Sequence, residues 1–220
     1  MTTKTFLHVG CGQKTKSQTT RGFADQAWTE VRFDINPEAR PDIVGTMVDM
    51  ASVKTGSMEA IFSSHNIEHL YPHEVPVALN EFKRVLAPEG FVVLTCPDLQ
   101  SVCKPIAEGK LTEPLYQSPA GPIAPIDILF GHRASMQRGD LYMAHRCGFT
   151  EKVLSATFQQ AGFRSVATVR RAHPYYDLWL VALVADQSQE FLENLVQIHF
   201  PLLKQKGQQA QQAQEPQQSS

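Results

Sequence analysis

The residues whose types and spacing could do chemistry begin at position 8. His8-Val9-Gly10-Cys11-Gly12 closes a short β-rich run. Glycines at such a turn let the backbone approach a ligand, and a helix just after them would offer N–H donors. A dinucleotide fingerprint would need a third glycine at position 15, which is Thr15. Asp34, with Ile35 beside it, ends the next β-rich run. A carboxylate there can accept both hydroxyls of a ribose, or simply cap the turn before Pro37. Asp49 could take the exocyclic amino group of an adenine with Met50 packed on the ring, or cap a helix at Ala51. A glycine turn and an acid at successive strand ends point to an adenosine-type ligand at the carboxyl edge of a sheet. Further on, His65-Asn66-Ile67-Glu68-His69 spells H-x-x-E-H, a zinc-peptidase signature, with His73 beyond it. Zinc use would need both histidines on one face of a helix, a third ligand and a water. The pentad follows an apolar strand and runs into Pro72, so no metal is expected there. Asp127, His132, Arg133, Tyr142, His145 and Arg146 suit a pocket wall, with His132, Tyr142 and His145 the substrate candidates. The alternative for these is a solvated loop. His173 and His199 read as surface or packing residues, and Cys96 and Cys103 as buried thiols.

The elements that must position these residues alternate. Residues 5–9 read as a strand, followed by a helix near 18–28, a strand over 30–35 and a short one over 42–46. Residues 58–62 make a fourth strand. Apolar positions 75, 78, 79, 82, 85 and 86 have helical spacing. Phe91-Val92-Val93-Leu94 is apolar throughout, as a buried parallel strand is. The pattern breaks over 98–148, which is rich in proline and reads as an insertion or lid. It resumes with a helix over 150–161, strands over 163–169 and 176–185, and a helix over 189–203. The expected organisation is one domain over 1–206 and a disordered glutamine-rich tail over 207–220.

The segment Glu59-Ala60-Ile61-Phe62-Ser63-Ser64-His65-Asn66-Ile67-Glu68-His69-Leu70, followed by Glu81-Phe82-Lys83-Arg84-Val85-Leu86-Ala87-Pro88-Glu89-Gly90-Phe91, carries a family resemblance. It resembles the class I S-adenosylmethionine-dependent methyltransferases, specifically the type 11 methyltransferase-domain group. The match spans about residues 5–97 and resumes at 149–185. The resemblance implies an α/β, Rossmann-like fold: a seven-stranded, mostly parallel sheet, its last strand antiparallel, with helices on both faces. It implies S-adenosyl-L-methionine as cofactor, bound by Gly10, Cys11, Gly12, Asp34, Ile35, Asp49, Met50, Ser64 and His65. The group often has an acid two positions before the first glycine, where this chain has His8. Methyl transfer needs a nucleophile held in line with the methyl carbon, with water excluded. His65 or His69 could be its general base, since histidine titrates near neutrality; organising the loop is the alternative.

Composition fits this reading. Lys+Arg 20 against Asp+Glu 22 gives a formal net charge of -2, which counts against a nucleic-acid partner. No apolar run is long enough for a membrane span. The four cysteines form no CxxC pair, which suits reduced thiols and a cytoplasmic setting. The expected partner is a small-molecule acceptor with an O, N or C nucleophile. The apolar face of the C-terminal helix at Phe191, Leu192, Leu195 and Val196 could pack on the domain or form a homodimer. The alternatives are a non-catalytic interaction protein that keeps the fold, an NAD-dependent oxidoreductase and a zinc hydrolase.

Overall fold

The computed structural model describes residues 3–201. Strand β1 (Lys4–Val9) lies between β2 (Trp28–Asp34) and β4 (Met58–Ser64), and the short β3 (Ile43–Val44) extends the sheet beyond β2. On the other side come β5 (Leu86–Pro97) and, beyond a hairpin of β6 (Tyr116–Ser118) and β7 (Gly121–Ile123), strands β8 (Ser165–Arg171) and β9 (Asp177–Leu183). The seven-stranded sheet has the order β3-β2-β1-β4-β5-β9-β8. Strands β1 to β5 are parallel, and β9 runs antiparallel to both its neighbours. The last strand is antiparallel as expected and slots between β5 and β8. The order reverses between β1 and β4, where α/β sheets leave a crevice at the carboxyl ends of the strands.

Alternation along β1 sends Phe6 to one face and Leu7 to the other, so two cores form. On Leu7's side, helices α2 (Val75–Val85) and α6 (Glu151–Gln160) cover the sheet through Leu79, Phe82, Leu154 and Phe158. On the other, Phe6, Phe23, Phe62 and Phe91 meet Leu192 and Leu195 of α7 (Gln189–His199).

The expected helix over 18–28 is reduced to one turn, α1 (Arg21–Ala24), capped by Thr20. Beside it packs α7, whose Ile198 and His199 close onto Gly22 and Phe23. That spends the apolar face of α7 inside the chain: Leu192 and Leu195 are buried, and Val196 packs with them. Phe191, on the same face, is 38% exposed. Helix α7 ends at His199, ahead of Pro201, which cannot continue a helix. The expected tail over 207–220 lies outside the described residues.

The 98–148 insertion is folded rather than irregular. It leaves the sheet at Asp98 and returns at Phe149, where Leu99 N–H donates to the Phe149 carbonyl at 3.0 Å. Between them lie α3 (Leu99–Ala107), the β6–β7 hairpin, α4 (Pro125–Phe130) and α5 (Arg133–Gln137). Asp98 N-caps α3. A small separate core of Val102, Ile128 and Tyr176 holds this layer to β9's approach. Cys96 is buried as expected, but Cys103, on α3, is exposed.

Candidate active site

The glycine turn is shaped by what stands behind it. Gly10 and Gly12 have φ of +65° and +50°, the left-handed region that a β-carbon disfavours. At Gly10 there is also no room: an added Cβ would lie 2.0 Å from Asn66 Oδ1. Asn66 fills that space with its amide, which reaches the Val9 carbonyl at 3.1 Å, the Ser64 carbonyl at 3.0 Å and Ser63 Oγ at 3.3 Å. One side chain thus ties the loop after β4 to the end of β1 across the switch point.

Asp34 stands at the end of β2, as expected. Its Oδ2 accepts from Gly12 N–H at 2.7 Å, and its Oδ1 from Asn36 N–H at 2.8 Å. A carboxylate has about four acceptor positions, so two are left for hydroxyl donors. Beside it Ile35 is 45% exposed, an apolar surface at the same strand end. Arg32 braces the two turns. Its guanidinium donates to the carbonyls of Gly12 (2.5 Å), Ala39 (3.1 Å) and Arg40 (2.8 Å).

His8 is buried and donates from Nδ1 to Glu30 Oε1 at 2.6 Å. Burial lowers its pKa, and the Glu30 carboxylate offsets this only in part. Glu30 Oε2 accepts from Lys16 N–H at 2.9 Å. The carboxylate that the sequence lacks at position 8 is therefore supplied from β2, where it anchors the loop beyond the glycines. Cys11 has its side chain buried, and burial pushes its thiol up to about 11. At this turn it offers a ligand its backbone, not its sulfur.

At the end of β4, Ser64 Oγ pairs with Thr95 Oγ1 at 2.8 Å. His65 follows in the left-handed region (φ +57°), its N–H bonded to the Thr95 carbonyl at 2.9 Å and its side chain 48% exposed. Glu68, in the 3-10 turn Ile67–His69, is buried. His65 Nδ1 stands 3.4 Å from Glu68 Oε1. Burial by itself would raise the Glu68 carboxyl; His65, with help from His69 and His145, outweighs it and holds it below its ordinary value. The insertion docks on this turn: Arg146 and Cys147 N–H donate to the Glu68 carbonyl at 2.8 and 3.2 Å. His69 turns toward the insertion, with Nδ1 donating to the Ala144 carbonyl at 3.1 Å and its ring 5.0 Å from that of His145.

The structure gathers Gly10, Gly12, Asp34, Ile35, Ser64 and His65 at one sheet edge. Asp49 lines a depression of about 500 Å³ along α2 with Val77, Asn80 and Arg84. Its Oδ1 caps Ala51 N–H, which is its alternative role. Met50 is fully buried in the core and offers no surface to a ring. The residues that directly follow β3 are Gly45, Thr46 and Met47, and Gly45 N–H donates to the Asp34 carbonyl at 2.9 Å. Among the substrate candidates, His145 reaches the β4 end. His132 pairs with Ser135 within its own turn, and Tyr142 is 54% exposed with no bonded partner among the described residues. His199 is a packing residue, bonded to Thr20 Oγ1 at 2.7 Å and stacked near Phe23. Of the H-x-x-E-H residues only Ile67–His69 are helical, as a single 3-10 turn, and His65 lies outside it with φ +57°, so the helix that a peptidase site needs is not formed. Asn66, Arg32 and Glu30 had no assigned role in the sequence. Asn66 lay inside the quoted family segment, two residues past the strand end, and that was its only signal.

Residues 7–94 match the family model described as a methyltransferase domain. The fold is similar to that of a Methanosarcina mazei S-adenosylmethionine-dependent methyltransferase at 15% identity, with TM-score 0.56, over 85% of this chain and 95% of that one. It is also similar to 1,6-didemethyltoxoflavin-N1-methyltransferase from Burkholderia thailandensis, solved with 1,6-didemethyltoxoflavin and S-adenosylhomocysteine. There the identity is 14% and the TM-score 0.54, over 84% of this chain and 72% of that one. A Thermotoga maritima protein described as a possible histamine N-methyltransferase matches at 12% identity and TM-score 0.52, over 82% of each chain. No curated protein matches the sequence. The sheet order is that of the Rossmann-like methyltransferase fold, and the methyltransferase-domain match over 7–94 takes in the glycine turn and its partner acid. No helix among the described residues is long and apolar enough to cross a membrane.

Proposed function

We propose that the chain is an S-adenosylmethionine-dependent methyltransferase that methylates a small-molecule O, N or C nucleophile in the crevice at the carboxyl edge of β1, β2 and β4. The observation that carries this reading is Asp34 holding Gly12 N–H at 2.7 Å while keeping acceptor positions free. In this reading the free positions take the ribose hydroxyls, Ile35 lies against the adenine, and the backbone at Gly10, Cys11 and Gly12 meets the methionine end. Ser64 and His65 stand near the sulfonium. The cofactor supplies an electrophilic methyl group; the chain's work is to align the acceptor and keep water out. His65 is the exposed side chain at the β4 end and would contact the acceptor. His69 is turned toward the insertion and is not assigned as a base. The 98–148 layer roofs the acceptor side.

Three observations favour a small acceptor. The charge is near balance, at -2. The similar Burkholderia structure holds a small heterocyclic acceptor. The insertion is bonded to the β4 turn rather than open to a polymer. Free thiols suit a cytoplasmic setting. The test is transfer from methyl-labelled S-adenosylmethionine to mixtures of small amines, phenols and heterocycles, run beside RNA, DNA and a peptide library. Label in the small-molecule fraction, lost in His65→Ala more than in cofactor affinity, is expected. Label confined to polymer would overturn the assignment.

A further inference from the structure

We propose that Glu68, His69 and His145 form a binding site for a divalent transition-metal ion of the zinc class. One ligand atom from each lies within 4.8 Å of the other two. Glu68 is 1% exposed, and neither carboxylate oxygen has a hydrogen-bond partner among the described residues. Buried carboxylates are paired or hold a cation, since an uncompensated one is costly; here His65 Nδ1, on a half-exposed ring 3.4 Å from Oε1, is a long contact that leaves Oε2 unpartnered.

The two histidines are set for ligation. His69 Nδ1 faces the Ala144 carbonyl at 3.1 Å and His145 Nδ1 the Ile128 carbonyl at 2.7 Å. A carbonyl only accepts, so each Nδ1 carries the proton, and each neutral ring turns an Nε2 lone pair elsewhere. Nδ1–H donation to a backbone carbonyl is the outer contact that orients metal-bound histidines. One carboxylate and two imidazoles are a zinc-type donor set, with a fourth position for water or another ligand. Tetrahedral bonds of about 2.0–2.1 Å place donors roughly 3.4 Å apart, so the three side chains tighten on loading. The ion would pin the insertion, through His145, to the β4 turn. This is not the peptidase arrangement, because His65 is not a ligand and the third comes from the insertion. The proposal does not depend on the acceptor assignment.

The test uses the full chain, stripped with chelator and titrated with zinc against a chromophoric competitor. Cobalt(II) loading is read by its visible absorption. One equivalent is expected, with four-coordinate cobalt bands. His145→Ala and Glu68→Gln should each weaken binding at least 10-fold, and His73→Ala should leave it unchanged. His69→Asn, with folding checked by circular dichroism, covers the case where a Glu68 variant does not fold. No stoichiometric binding to folded protein, or equal binding in the ligand variants, would overturn the site.

Discussion

Gly10→Ala tests the central geometry of the cleft. A methyl group at this position meets Asn66 Oδ1 at 2.0 Å, so the amide must leave its place. It then gives up its contacts to the Val9 carbonyl, the Ser64 carbonyl and Ser63 Oγ. At about 1 kcal/mol net for each hydrogen bond, that is ~2–3 kcal/mol. The φ of +65° adds about 1–2 kcal/mol for a residue with a β-carbon. The single variant should therefore lose ~3–5 kcal/mol in urea unfolding. Asn66→Ala alone should lose about 2–3 kcal/mol. In the double variant the clash is gone and only the backbone term is added, so the pair loses roughly 3–5 kcal/mol, not the sum. The cycle thus carries a coupling of about 2–3 kcal/mol. Additivity within about 0.5 kcal/mol would refute the claim that Asn66 occupies the space left by Gly10.

Three further outcomes follow from the packing. Burial brings His199 from 6.5 to about 4. The neutral form is favoured in the fold, so its contribution is full above the unfolded value and is lost as pH falls from about 6.5 to about 4. His199→Phe should remove ~3 kcal/mol of that acid-side loss, read as the pH dependence of urea midpoints; an unchanged slope would contradict it. Arg84 donates to the Met50 carbonyl at 2.8 Å and the Val53 carbonyl at 3.0 Å, and pairs with Glu81. Arg84→Leu should cost about 1–3 kcal/mol in denaturation with S-adenosylhomocysteine affinity unchanged; a matching loss of affinity would put the 50–55 turn in the cofactor site. A thiol reagent on native protein should modify Cys103 first, with Cys11 and Cys96 waiting for unfolding. A fast phase that survives Cys103→Ser would contradict the burial pattern.

The parallel core was legible because its strands are apolar on both faces and its acids and glycines fall at strand ends. Asp34 could be read from spacing alone. Asp49 was legible only as two alternatives, because an acid just past a short strand looks the same whether it faces the sheet edge or the neighbouring helix. Here the Glu81–Arg84 pair pins the 50–55 turn to α2, and Asp49 goes with it. The helix expected after the glycines failed because Thr19, Thr20 and Gly22 favour a cap and a turn over a helix interior. The chain packs α7 beside that turn, a contact between residues about 180 apart (20 and 199) that no local pattern reveals. The Glu68–His69–His145 cluster was hidden likewise: two members were in plain sight, but the third came from an insertion with no periodicity.

The most direct test is calorimetric titration of S-adenosylhomocysteine into the full chain and into Asp34→Ala. The account predicts one site, weakened at least ~10-fold in the variant through loss of hydrogen bonds to a charged acceptor worth about 1.5–3 kcal/mol. Binding of equal strength in both proteins would place the ribose away from Asp34 and contradict the site described.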